Sequence, residues 1–295
     1  MQKQKNNATK ETRIKSSFWG DAWRRLKQDR AAVVALCVLV LLILCGIFAP
    51  YIAPDPYDLQ DTTATFQLPN AQHLLGTDNF GRDILSRIIY GSRVSLIVGF
   101  SSIIVAIIVG GLLGAISGYY GGKVDNILMR LMDILMAIPG MLLAISLAAV
   151  LKPGLMNLVI AIAIAEVPGY ARVVRASVLT IKDQEYIEAA TCIGASDRRI
   201  ILRHIIPNCM APIIVQATLG VAGAILSAAS LSFLGLGIQP PTPEWGSMLS
   251  SARQFIRQYW HMTTFPGLAI MITIFALNVL GDGLRDVLDP HLKNQ

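Results

Sequence analysis

The chain alternates long apolar runs with short charged segments, and the length of each run decides what it can be. Between Arg30 and Asp55 the residues AAVVALCVLVLLILCGIFAPYIAP carry no charge. A bilayer core of about 30 Å takes roughly 20 mostly apolar residues of helix, so this run predicts a first membrane span. It is too long for the apolar region of a signal peptide, and no small-residue cleavage site follows it, so the span is expected to be retained. Further uncharged runs lie between Arg93 and Lys123, between Asp133 and Lys152, and from Leu155 to Ala171, the last broken only by Glu166. The stretch between His204 and Glu244 holds one full span with a loop-like or re-entrant end, and the gap between His261 and Asp282 holds the last. The pattern predicts an all-α integral membrane protein with six transmembrane helices.

Composition agrees. The 295 residues are 54% hydrophobic and only 15% charged, with a mean hydropathy of +0.55, whereas a soluble domain carries about 25% charged residues. The net charge of +6 raises nucleic acid as a partner, but the placement of the charges argues against it. Nine Lys or Arg precede the first span, against Glu11, Asp21 and Asp29. With that tail inside, nineteen of the 25 basic residues fall in cytoplasmic segments, and Arg82, Arg87, Arg93, Lys152, Arg253 and Arg257 fall outside. This is the positive-inside bias, and it puts both termini in the cytoplasm. The resulting organisation is a basic cytoplasmic tail over 1–30, a first span over 31–53 and an external loop with a short amphipathic helix over 54–93. A five-helix core over 94–288 follows, containing a cytoplasmic loop at 172–210, and then a cytoplasmic tail over 289–295.

That loop is too polar to span and too patterned for a plain linker. Tyr186 to Ile193 reads as a short helix in which Ala189 and Ala190 give a low-profile face. Gly194 suits the left-handed residue that ends such a helix. Ser196 and Asp197 suit the start of a second one, where oxygen acceptors and negative charge are favoured. Ile200, Ile201, Ile205 and Ile206 supply its apolar face, and Pro207 is expected to end it. The product is a compact elbow that another protein can grip, or an amphipathic helix lying on the inner leaflet.

Glu188-Ala189-Ala190, three residues, Gly194, and then Pro207 thirteen further on resembles the signature of permease subunits of binding-protein-dependent ABC importers. Ile206 replaces the usual Leu, and His204 stands where the general motif favours Ile, as is common in peptide-type permeases. HLLGTDNFGRDILSRIIYGSRVSL (73–96), LSFLGLGIQPPTPEWGSML (231–249) and GDGLRDVLDP (281–290) resemble the dipeptide, oligopeptide and nickel subfamily, so the likeness runs from about Phe18 onward. The resemblance implies a type I ABC importer permease fold in a bacterial inner membrane. It implies that the loop is a coupling helix seated on a cytoplasmic ATPase, with Glu188, Ala189, Ala190, Gly194, Ala195, Ser196, Asp197 and Pro207 as coupling positions. Glu188 would pair with a basic group there. It further implies a second permease subunit as heterodimer partner, two ATPase subunits or domains that use ATP-Mg, and an extracytoplasmic binding protein. Peptides are the first cargo; nickel or metal–chelate complexes and glutathione are alternatives within the family.

Other residues add less. Glu166 lies inside a span, where a carboxylate is costly and faces a cavity or a partner. It either lines the substrate path and attracts a cationic group, or sits in a structural network with Arg172 near the inner boundary. Asp83–Arg87 and Arg130–Asp133 have the spacing of helical ion pairs. Gly110, Gly111, Gly114 and Gly118 predict close helix packing, or a moving seam. Gly76, Gly81 and Gly91 read as turns on the outer surface, and Pro139-Gly140 and Pro168-Gly169 as kinks. Pro240, Pro241 and Pro243 stiffen an outer loop, and Trp245, Tyr259 and Trp260 fit an interfacial aromatic belt. Cys37, Cys45, Cys192 and Cys209 read as small buried hydrophobes. There is no phosphate-binding G-x-x-x-x-G-K-[ST] loop, H-E-x-x-H or catalytic triad, so no catalytic residue, metal site or bound cofactor is expected in this chain. A self-sufficient secondary transporter would need ionisable groups near mid-membrane or inverted repeats; Glu166 is the one candidate and no repeat is visible.

Overall fold

A computed structural model describes residues 18–288. The tail before Phe18 and the C-terminal tail over 289–295 lie outside the described residues. Among the described residues every regular element is helical, and the only β-type pairing is an isolated bridge between Thr77 and Asp83. Five helices are long and apolar enough to cross a membrane, and a bent helix pair, counted as one broken span, brings the number to six.

The first element among the described residues is α1 (Phe18–Leu26), within the stretch read from sequence as a tail. The first span, α2 (Arg30–Ile47), opens where the Asp29 carboxylate accepts the Ala31 and Ala32 amides at 2.9 and 3.3 Å, an N-cap that satisfies two otherwise orphaned donors. A short turn of helix, α3 (Ala49–Ile52), continues it. The second span, α4 (Ile84–Tyr120), is 37 residues long. It absorbs residues 84–93, so the short separate helix expected in the external loop is instead the first turns of this span. Asp83 caps it by accepting the Ser86 amide at 2.7 Å.

The third span is broken. α5 (Gly122–Met136) and α6 (Gly140–Leu151) meet at 84°. Pro139 lacks the amide a continuing helix needs, so the kink predicted at Pro139-Gly140 is a complete break. The fourth span, α7 (Leu155–Ile181), runs through Pro168 and ten residues beyond the uncharged run. Residues 172–181 therefore continue this helix instead of forming an irregular connection. After a short connecting section come α10 (Met210–Phe233), α11 (Trp245–Ala252) and the last span, α12 (His261–Leu288).

Small residues set the spacing of the bundle. A Cβ on Gly110 would lie 2.5 Å from the Val167 carbonyl oxygen, and one on Gly114 would overlap the Ala171 carbonyl. One on Gly118 would lie 2.9 Å from Val178 Cβ. Backbone meets backbone along the α4–α7 seam, so three of the four glycines predicted to pack do so. Gly111 faces looser space, with Val174 Cγ2 the nearest atom at 3.9 Å.

The outer end holds buried polar groups. Trp245, expected at the membrane interface, is fully buried, with Nε1–H donating to the Ile88 carbonyl at 3.1 Å. Gly91 sits inside α4 and leaves room for that indole instead of making a turn. Glu244 caps α11, accepting the Gly246 and Ser247 amides at 2.9 and 2.8 Å. Tyr259 stacks on Phe66 at 4.3 Å, and Trp260 is half-exposed. Asp83 and Arg87 do not pair. The carboxylate is held by its cap and by His73, while Arg87 donates to the Tyr57 carbonyl at 2.9 Å. Among the cysteines only Cys209 is buried; Cys37 and Cys192 are exposed, which corrects the expectation for both.

Candidate functional site

The section between the fourth and fifth spans, expected from the charge distribution to be cytoplasmic, folds as an elbow. α8 (Glu185–Cys192) ends at Gly194, which adopts φ +78°. The Ala195 amide donates to the Ala190 carbonyl at 3.1 Å and the Gly194 amide to the Thr191 carbonyl at 2.9 Å. Those two bonds make the Schellman end of a helix, whose left-handed residue is best supplied by glycine. α9 (Asp197–Ile200) follows, then a π segment over Ile201–Ile205 and a 3-10 turn over Ile206–Cys209 leading into α10.

Pro207 does not end the second arm. The helical path runs on from Asp197 to Phe233, and Pro207 marks a change of hydrogen-bond register within it. Lacking an amide, Pro207 cannot bond back to Arg203, and the wider π turn beside it accommodates the missing bond.

One face of the elbow is anchored and the other is free. Ile187, Ala190, Ile200, Ile201, Ile205 and Cys209 are buried against Ala115, Val174, Val178 and Ile213 of the spans. Burying one such isoleucine contributes about 1.5–3 kcal/mol, so this layer holds the elbow firmly on the bundle. Outward lie Glu188, Ala189, Ser196, Asp197, Arg198 and Arg199, with Ile193 at the tip 85% exposed. The two alanines thus divide: Ala190 packs inward and only Ala189 lies on the free surface. An open groove of about 510 Å³ runs beside Glu188, lined also by Tyr119, Lys182, Asp183, Thr191 and Cys192.

Ser196 occupies the cap position of α9 without a side-chain hydrogen bond. The Asp197 carboxylate accepts the hydroxyls of Tyr119 and Tyr120, both at 3.0 Å, instead of serving its own helix. This clasp ties the second arm to the inner end of α4. The only cue to it in the sequence is two adjacent tyrosines where a span leaves the membrane.

The charges on α5 and α7 also pair across helices. Arg172 donates to Asp133 at 2.5 Å, so neither the expected Arg130–Asp133 pair nor a Glu166–Arg172 link forms. Arg175 grips Asp125 through Nε and Nη2 at 2.5 and 2.6 Å, and Ser117 donates to the same carboxylate. These groups line an open cleft of about 720 Å³ with Arg130. Glu166 is half-buried and makes no hydrogen bond or ion pair among the described residues.

Comparison with known proteins places this geometry. The family described as binding-protein-dependent transport system inner membrane component matches residues 106–294. The N-terminal TM domain of oligopeptide transport permease C matches residues 17–70. The chain is 47% identical over 280 residues to the di/tripeptide transport system permease protein DppC of Pseudomonas aeruginosa, covering 92% of both chains. It is 49% identical over 278 residues to the dipeptide transport system permease protein DppC of Alkalihalophilus pseudofirmus, covering 94% of this chain and 91% of that one. It is 47% identical over 276 residues to the glutathione transport system permease protein GsiD of Escherichia coli, covering 93% and 91%. Among solved structures, an inward-facing form of the MetNI methionine ABC transporter shares the fold at a TM-score of 0.56 and 16% identity, covering 69% of this chain and 96% of that one.

Proposed function

This chain belongs to the binding-protein-dependent transport system inner membrane components, and we propose that its elbow over residues 185–209 is the surface through which an ATPase drives it. It is a permease subunit of an ABC importer, a multi-pass protein of the inner membrane. The observation that carries the coupling role is the two-sided elbow: a buried isoleucine layer beneath, and Glu188, Ala189, Ile193 and Asp197 presented above. A lever needs that combination, because a push on the free face must reach the spans without being lost in the loop.

Both termini and the elbow lie on the cytoplasmic side, a placement supported by the distribution of Lys and Arg. Two ATPase subunits or domains hydrolyse ATP-Mg, and one seats against this elbow, with Glu188 facing a basic group in its groove. A second permease pairs with this chain, and an external binding protein delivers cargo to the interface between the two. Nucleotide binding shifts the population between inward- and outward-facing states through contacts that differ between them. The cargo is a di- or oligopeptide, supported by the dipeptide permeases among the relatives. Glutathione, itself a short peptide, is the second reading, supported by the GsiD relative. Glu166 lines the path of that cargo, its unpartnered carboxylate available to a peptide amino group.

Reconstitution tests the role. The chain alone in proteoliposomes should take up no labelled dipeptide under any ion gradient. Adding the ATPases, the second permease, the binding protein and ATP-Mg should start uptake. Gradient-driven uptake by the single chain would refute it.

A further inference from the structure

The geometry points to a divalent metal site on the outer face, built from Asp55, His73 and Asp83, that fastens the external segment to the N-terminus of the second span. One donor atom from each of these three residues lies within 4.8 Å of the other two. They come from separate parts of the chain: the residue after Pro54, the loop before Gly76, and the cap of α4. His73 Nδ1 is 3.0 Å from Asp83 Oδ1, a spacing suited to adjacent donors on one ion. Zinc–nitrogen and zinc–oxygen bonds of about 2.0–2.2 Å place neighbouring donors about 3–4 Å apart, close to the 4.8 Å within which all three donor atoms already lie.

His73 Nδ1 and Asp83 Oδ1 share a hydrogen bond that a bound ion replaces, taking the place of the bridging proton, while the surrounding bonds hold both residues in position. The Asp55 amide donates to Ser86 Oγ at 3.0 Å, which fixes its backbone at the start of α4. The His73 amide donates to Asn70 Oδ1 at 2.9 Å. Asp83 uses Oδ2 for its cap on Ser86 and keeps Oδ1 toward His73. The Asp55 carboxylate accepts no hydrogen bond among the described residues.

Charge favours a cation here. Two carboxylates face one imidazole, so the cluster stays negative even when the ring is protonated. The nearby guanidiniums are engaged elsewhere: Arg82 is 2.7 Å from Asp78, and Arg87 donates to the Tyr57 carbonyl and lies 3.8 Å from Asp78. His73 is 18% exposed and Asp83 only 1%, giving an ion one open side for entry and for water ligands. One imidazole with two carboxylates suits zinc or a similar first-row ion better than calcium or magnesium, which prefer oxygen alone. No metal motif announces this site in the sequence, because its donors are ten and more residues apart and meet only in the fold.

Zinc titration of the purified importer, prepared without a polyhistidine tag and stripped with chelator, tests the site by calorimetry. The wild-type complex should bind one more zinc ion, with micromolar or tighter affinity, than a His73→Gln complex. Asp55→Asn, which keeps the backbone N–H hydrogen bond to Ser86 Oγ, should leave the thermal stability of the zinc-free protein unchanged. Its zinc affinity should fall by more than the ~10–100-fold that losing an outer-shell partner costs. Equal zinc stoichiometry and affinity in all three proteins would overturn the proposal, and calcium binding as tight as zinc would overturn the assigned chemistry.

Discussion

A Gly194→Arg chain should reach the membrane and assemble, yet import at least tenfold less cargo while ATP hydrolysis continues. Gly194 holds φ +78°, so any L side chain there costs about 1–2 kcal/mol of backbone strain. No atom lies within 4 Å of the Cβ position, so the substitution meets no obstacle there and adds bulk and charge to the face proposed to dock a partner. Strain of this size weakens the elbow without unfolding six spans. Gly235→Arg is the control, since Gly235 has φ +82° and equally open surroundings outside the elbow. It should match the strain and keep import coupled to hydrolysis. Gly194→Asn, which tolerates the left-handed conformation better and adds no charge, should recover part of the import. Comparing uptake with ATPase activity in proteoliposomes reads all three. Unimpaired import by Gly194→Arg would remove the elbow from the mechanism.

Gly114→Leu should have a larger effect of another kind, loss of the folded protein itself. The obstacle at Gly114 is the Ala171 backbone carbonyl, which cannot swing aside as a side chain can. Overpacking a core costs about 1–3 kcal/mol even where side chains give way, and here two helices must separate. The seam they share also carries Gly110, Gly118, and the Asp125–Arg175 pair at its inner end. Size-exclusion profiles of detergent extracts should show little or no monodisperse Gly114→Leu protein. Gly111→Ala should elute like the wild type, because its nearest neighbour is 3.9 Å away. A monodisperse, transport-competent Gly114→Leu protein would mean that the α4–α7 contact is looser than it is drawn.

The six spans were legible because an uncharged run long enough to cross a bilayer leaves few alternatives. Their ends were not. α7 runs on through Arg172 and Arg175 because those charges find Asp133 and Asp125 on a neighbouring helix, and spacing along one chain does not record such pairs. The same reason defeats the Asp83–Arg87 and Arg130–Asp133 pairs: Arg87 finds the Tyr57 carbonyl and Asp133 finds Arg172, both distant in sequence. Gly194 was readable, since a glycine after a short amphipathic stretch has one common use. Pro207 misled, because a π segment lets the helix pass a proline that would otherwise end it. Trp245 looked interfacial by residue type, yet Gly91 on α4 makes the room that buries it.

Ile193 offers the shortest route to testing the elbow as the point of drive. Placed at the tip and 85% exposed, it can carry a photo-cross-linking side chain without touching the isoleucine layer below. In inverted membrane vesicles containing the assembled importer, illumination should join this position to the ATPase, with the yield changing when ATP-Mg is added. In right-side-out vesicles a membrane-impermeant thiol reagent should leave Ile193→Cys untouched. Labelling from the outside, or full transport with no adduct to the ATPase, would contradict the account.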